Sequence, residues 1–148
     1  MSSYQEALVL DAPKRDPVTL TRKEPTTNYG KELVLDIHDC DPTKFTRRDI
    51  RNYFRKVCDL IDMERCKLCW WDDYRVPPEL QQTEPHLKGT SAIQFIKTSN
   101  ITIHTLDIMK RVYLNIFTCK DFDPEAAKQF TVDWFGGNIV AEHLIERI

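Results

Sequence analysis

Four side chains in the second half of the 148-residue chain carry the chemistry of acyl and proton transfer: Ser91, Ser99, His104 and Cys119. Two hydroxyls, an imidazole and a thiol supply nucleophiles and a general acid or base. Ser99 lies between Thr98 and Asn100, a polar triplet between apolar runs that reads as a turn. His104 follows among β-branched neighbours on what reads as a strand. Taken singly, each has an ordinary role: Ser99 closes a turn, Ser91 bonds backbone, His104 is a satisfied core histidine and Cys119 a small buried hydrophobe.

Strand pairing brings them together in twos. A hairpin turning around Thr98 sets Ser91 across from His104 or Thr105, and a second turning at 107–110 sets Ser99 across from Thr118 or Cys119. Within one chain the two corners are separated by a stretch of strand on the order of 16 Å long, at ~3.3 Å per residue. A single site needs a bent strand or a second subunit.

The elements that must position these residues follow from hydrophobic period. Residues 32–38 alternate, with Leu33, Leu35 and Ile37 on one face, which predicts a strand. Asp41-Pro42 and the stretch from Thr46 to Asp49 carry helix-start chemistry, and Ile50, Tyr53, Phe54, Val57, Leu60 and Ile61 recur at helical spacing. A short strand over 66–71 leads into a long Pro-bearing loop over 72–89. Three strands follow, over 90–96, 101–106 and 111–119. A second helix then opens at Asp123-Pro124, turns Ala126, Ala127, Phe130 and Trp134 inward and ends at Gly136-Gly137. A last strand covers 139–148. This order predicts an α+β, two-layer sandwich, an antiparallel sheet with helices on one face. Residues 1–28, rich in Pro and charge, read as an N-terminal extension, disordered or packed on a neighbour, and 29–148 as the domain.

Composition narrows the classes. The chain is 41% hydrophobic and 30% charged with a net charge of −2, ordinary globular usage without a global basic field for nucleic acid. Arg47, Arg48, Arg51, Arg55 and Lys56 form a basic helix side that reads as a solvated face, and an RNA-binding role rests on it alone. Five irregularly spaced cysteines and no leader pattern point to a reducing, cytoplasmic setting. The apolar run from Ala7 to Leu10 is far short of the ~20 residues of a membrane span, so no membrane partner is expected. Cys66 and Cys69 suit zinc or redox spacing, but no second ligand pair stands nearby and no metal is expected.

The motifs "GTS" at 89–91, "TSNITIHT" at 98–105 and "IFTC" at 116–119, with their intervals, resemble the short prokaryotic type of S-adenosylmethionine decarboxylase proenzyme, and "YGKELVLDIHDCD" from Tyr29 to Asp41 extends the resemblance. The resemblance implies a chain that cuts itself between Thr98 and Ser99 and converts Ser99 to a pyruvoyl group. That carbonyl would bind a small-molecule amine substrate as a Schiff base and act as electron sink. Ser91 and His104 would serve cutting, and Cys119 would donate the proton during decarboxylation. The resemblance also implies a homodimer with shared sites and a place in polyamine (spermidine) synthesis.

Where the family commonly has Glu before the nucleophile and His after it, this chain has Thr98 and Asn100. Where it usually has an adenine-stacking Trp and a ribose-binding Glu, this chain has Leu106 and Ile108. Asp107 is a candidate replacement for the carboxylate, and Trp70, Trp71 or Tyr74 for the ring. Asp72 and Asp73 beside two Trp either start a loop or meet a cationic substrate. Arginine or ornithine is the alternative substrate. A non-processing homologue that binds a ligand or regulates a partner is the alternative class.

Overall fold

The computed structural model describes residues 28–148, so the extension over 1–28 lies, but for its last residue, outside the described residues. Six strands form one antiparallel sheet in the order β2-β3-β4-β5-β1-β6: β1 (Gly30–His38), β2 (Arg65–Trp71), β3 (Gly89–Ile96), β4 (Ser99–Leu106), β5 (Arg111–Thr118) and β6 (Asn138–Arg147). Helices α1 (Arg47–Leu60) and α2 (Pro124–Phe135) cover one face, and among the described residues the other is open. The α+β sandwich expected from the order of elements is the architecture observed. Among the described residues, no helix is long and apolar enough to cross a membrane.

Alternation assigns the faces. Leu33, Leu35 and Ile37 of β1, Ile101 and Ile103 of β4, and Val112, Leu114 and Ile116 of β5 are buried under the helices. Ile50, Tyr53, Phe54, Val57 and Cys58 answer from α1. Each large side chain so buried contributes roughly 1.5–3 kcal/mol. The Tyr53 hydroxyl meets Thr131 Oγ1 at 2.8 Å, and Thr131 in turn donates to the Ala127 carbonyl at 2.7 Å, tying the two helices inside the core.

Two helix-start signals close together resolve into two elements. Asp41 caps a short 3-10 turn, Pro42–Lys44, and Thr46 caps α1 by accepting from Asp49 N at 3.1 Å, a contact worth about 1 kcal/mol. Asp123 caps α2 through Glu125 N and Ala126 N. The inward face of α2 is shifted from the expected one: Ala127, Thr131 and Phe135 are its buried residues, while Phe130 and Trp134 are half-buried and still pack against the core, and Ala126 is half-buried. With Pro124 fixed at the first turn, the 127, 131 and 135 row faces the sheet, and Thr131 is tolerated there because both its hydrogen-bonding needs are met.

Candidate active site

On the open face, β3 and β4 place Ser91 directly opposite His104, one of the two registers expected. Their side chains meet, Ser91 Oγ to His104 Nδ1, at 2.7 Å. The imidazole lies against the Tyr113 ring at 6.4 Å between centroids, because β5 sets Tyr113 opposite His104. Half-burial holds His104 below the usual imidazole value, which favours the neutral ring. A neutral imidazole hydrogen-bonded to a hydroxyl can pass a proton in either direction. Gly89 makes the close approach possible, since a Cβ there would sit 1.7 Å from the Thr105 carbonyl oxygen.

The second corner forms where β4 begins and β5 ends. The two-residue turn is Lys97-Thr98, between the paired Ile96 and Ser99, so Ser99 is the first residue of β4 and not a turn residue as expected. Alternation puts Ser99 on the helix side, where it is buried at 7% exposure, and its Oγ accepts from the Cys119 backbone N–H at 2.9 Å. Cys119 lies one residue past β5 rather than inside it, and its Sγ meets Thr98 Oγ1 at 2.8 Å. The Thr98 hydroxyl, and after it that of Ser99, lowers the thiol from its ordinary value. A cavity of about 290 Å³ opens beside the sulfur, bordered by Asn28, Tyr29, Gly30, Lys31 and Asp121. Gly30 admits β5 here as Gly89 admits β4 at the first corner: a Cβ would lie 1.9 Å from Thr118 O.

The residues considered for substrate contact separate. Trp71 pairs with Ser91, stands on the open face and is 62% exposed, so it is the ring next to the Ser91 and His104 pair. Trp70 points the other way and packs on the core, with Arg47 and Arg51 over its ring at 5.2 and 5.8 Å. Asp72 is held by Arg47 through two hydrogen bonds, 2.7 and 2.6 Å, and this partner keeps its carboxyl below the usual carboxylate range. Asp73 accepts from Gln82 N at 2.9 Å and Lys88 Nζ at 3.2 Å. Both aspartates therefore anchor the loop over 72–89. Tyr74 and Asp107 share with them a cavity of about 470 Å³ on the helix side, and burial raises the Asp107 carboxyl. Leu106 is buried and Ile108 exposed.

Sequence reasoning missed the Tyr113 ring against His104, which only the β5 register reveals, and the Thr98 contact with Cys119. A β-branched residue at the second position of a two-residue turn was the available signal for the latter. Among the described residues no cluster of three or more His, Cys, Asp or Glu stands in metal-binding geometry.

A solved structure, the adenosylmethionine decarboxylase from Aquifex aeolicus VF5, matches with a TM-score of 0.64 at 17% identity, covering 82% of this chain and 92% of that one. At that identity the likeness is one of fold. Among curated proteins no match is found. A sequence profile described as S-adenosylmethionine decarboxylase matches residues 31–148, all of the sheet but Gly30, with both helices and both corners. The chain belongs to the S-adenosylmethionine decarboxylase family.

Proposed function

We propose that this chain is a self-processing, pyruvoyl-dependent decarboxylase acting on S-adenosylmethionine, for spermidine synthesis, in the cytoplasm. The observation that carries the reading is the arrangement at the Thr98 to Ser99 bond. Thr98 adopts φ +62 and is the β-branched member of the positive-φ non-glycine residues, a conformation that costs on the order of 1–3 kcal/mol. Ser99 Oγ, immediately after it, is fixed by the Cys119 N–H. Backbone strain at Thr98 and a positioned hydroxyl next to its carbonyl favour attack of Ser99 Oγ on the Thr98 carbonyl carbon.

That attack moves the acyl group from nitrogen to oxygen and frees the Ser99 amine. Loss of the Ser99 Cα proton then breaks the Cβ–O bond and releases Thr98 as a carboxylate. The enamine left at 99 tautomerises, and water displaces its nitrogen as ammonia, leaving the pyruvoyl carbonyl. The surroundings fit the group: the start of β4 can become a free chain end without breaking the sheet interior, and a cavity adjoins Cys119. Once formed, the carbonyl supplies an electron sink for an amino acid amine.

The chain's own residues take the remaining roles. His104, backed by Ser91, accepts and returns protons during cutting. Cys119 holds the proton that replaces carbon dioxide. Trp71, exposed beside the Ser91 and His104 pair, stacks the nucleobase in place of the residue at 106, which is a buried Leu here.

The function is carried out by a homodimer. Trp71 of β2 and Ile93 and Phe95 of β3 are exposed apolar side chains on the open face near Ser91, and covering them with a second copy removes that surface from water. Intact mass of the purified protein tests the reading: chains of residues 1–98 and 99–148 support it. A single uncut chain after prolonged incubation favours the non-processing alternative, for which Thr98 and Asn100 around Ser99 are the motivating feature.

A further inference from the structure

We infer that Thr98 is a positioning residue for Cys119: in the uncut chain its hydroxyl holds the thiol sulfur at the Lys97-Thr98 turn, and breaking the Thr98 to Ser99 bond releases it. The holding role stands on the uncut geometry alone. The release rests on the cutting proposed above.

Thr98 Oγ1 lies 2.8 Å from Cys119 Sγ and 2.7 Å from the Lys97 carbonyl oxygen. The hydroxyl has one proton and two acceptors within reach. When the sulfur is a thiol, its S–H donates to Oγ1 while Oγ1–H donates to Lys97. When the sulfur is a thiolate, the Oγ1 proton turns to Sγ and the exposed Lys97 carbonyl is left to water. The bond to the charged sulfur is the stronger of the two, so the contact favours the thiolate, in line with the lowered thiol value.

The other groups facing the sulfur are the Ser99 hydroxyl and, around the adjoining cavity, Tyr29 and the Lys31 and Asp121 ion pair. Lys31 is occupied by Asp121, which leaves Thr98 as the first group acting on the thiol. Position 98 at φ +62 suits Gly or Asn. Neither offers a hydroxyl, and a hydroxyl is what Cys119 meets.

Cutting ends this arrangement, because Thr98 becomes a free carboxyl terminus no longer tied to β4. Without its donor, Cys119 keeps its proton to higher pH. A proton donor is then assembled only in the cut enzyme.

The test is the pH dependence of Cys119 alkylation by iodoacetamide, read by peptide mass to separate it from Cys66 and Cys69. It is run on the full-length Ser99→Ala chain, which stays whole. Adding Thr98→Val should move the midpoint to higher pH and lower the rate at neutral pH roughly threefold or more, since only the thiolate reacts. Adding Thr98→Ser should restore both. A midpoint that Thr98→Val leaves unchanged or lowers, or that Thr98→Ser fails to restore, overturns the holding role. Cutting of the wild type is read separately from intact mass. A cut wild type whose Cys119 titrates above the uncut chain supports release, and an equal midpoint overturns it. An uncut wild type removes release together with the cutting proposal and leaves the holding role to the alkylation profiles.

Discussion

Ser91 and His104 are joined at 2.7 Å on the open sheet face, while Ser99, on the same strand as His104, turns to the helix side and bonds the backbone of Cys119. The pair proposed for proton transfer and the proposed nucleophile thus occupy opposite faces of β4. His104→Gln should leave the fold intact and slow cutting by roughly 10²-fold, the usual contribution of a positioned acid or base. Quantitation of the two fragments over time measures it.

The same imidazole makes stability depend on pH. Burial disfavours its charged form, so the unfolded chain takes up the proton first. The stability is complete above the unfolded value near 6.5 and is lost as pH falls through the lower folded one. Urea unfolding across this window should show a steeper loss for wild type than for His104→Gln. Equal pH dependence of the two would contradict burial as the cause.

Cys119→Ala should still be cut, because Ser99 is held by the backbone N–H at 119, which alanine supplies as well as cysteine. Turnover should nevertheless fall about 10²-fold or more, since the side chain is the proposed proton carrier. Gel analysis and carbon dioxide release, made on one preparation, separate the two effects. Loss of cutting in this variant would mean that the thiol acts earlier than assigned.

Of the two ion pairs that anchor the loop over 72–89, the one between Arg47 and Asp72 joins it to α1. Asp72→Asn removes the charge from a two-bond contact with Arg47 whose Asp72 side chain is only 10% exposed. A loss of about 1–2 kcal/mol is expected after allowing for the half-exposed arginine. Because Arg47 depresses the Asp72 value, this contribution is present above the unfolded carboxylate value of 3.8 and disappears as pH falls through the folded one. Hydrogen exchange should show the opening confined to this loop.

For the substrate, Trp71→Ala should raise KM for S-adenosylmethionine roughly threefold to tenfold, the worth of one aromatic contact at ~0.5–1.5 kcal/mol. Carbon dioxide release from arginine and ornithine should be compared alongside. Activity confined to either of these would move the proposal to the alternative substrate class.

Much of this arrangement is legible in sequence where local periodicity decides it. Leu33, Leu35 and Ile37 announce β1, and the short links on either side of β4 fix registers closely enough to pair Ser91 with His104 and to bring Ser99 beside Cys119. What local pattern cannot supply is side-chain partnership across the fold. Asp72 and Asp73 could equally have met a substrate, and only the packing of α1 against the loop shows Arg47 already bound to Asp72. Likewise Trp70 and Trp71, adjacent and alike in type, diverge because a strand sends neighbours to opposite faces, and choosing between those faces requires knowing where the helices lie. On α2 the local pattern finds Ala127, Phe130 and Trp134, which pack on the core, and misses Thr131, because Thr131 is polar and its partner Tyr53 is distant in sequence.

The separation of the two corners carries the last prediction. Five residues of extended chain between Ser99 and His104 span on the order of 16 Å, whereas proton transfer needs heavy atoms within ~3 Å. The sheet is regular over this stretch, with unbroken pairing from Ser99 to Leu106, so no bend in β4 closes the gap. Stacking the open faces about a two-fold axis shortens the separation twice over, setting Ser91 and His104 of one subunit against the start of β4 in the other, and the Lys97-Thr98 turn must then open to carry the Ser99 hydroxyl from the helix side to that face. Co-expression of Ser99→Ala and His104→Ala chains, differently tagged, gives a mixed dimer in which one of the two composite sites is intact. In it the His104→Ala chain keeps its Ser99 and faces an unaltered His104, so that chain should be cut at close to the wild-type rate although in its own homodimer it is cut roughly 10²-fold more slowly. If it stays whole in the mixed dimer while tagged wild-type controls are cut, proton transfer and nucleophile belong to one chain, and β4 must rearrange before the bond breaks.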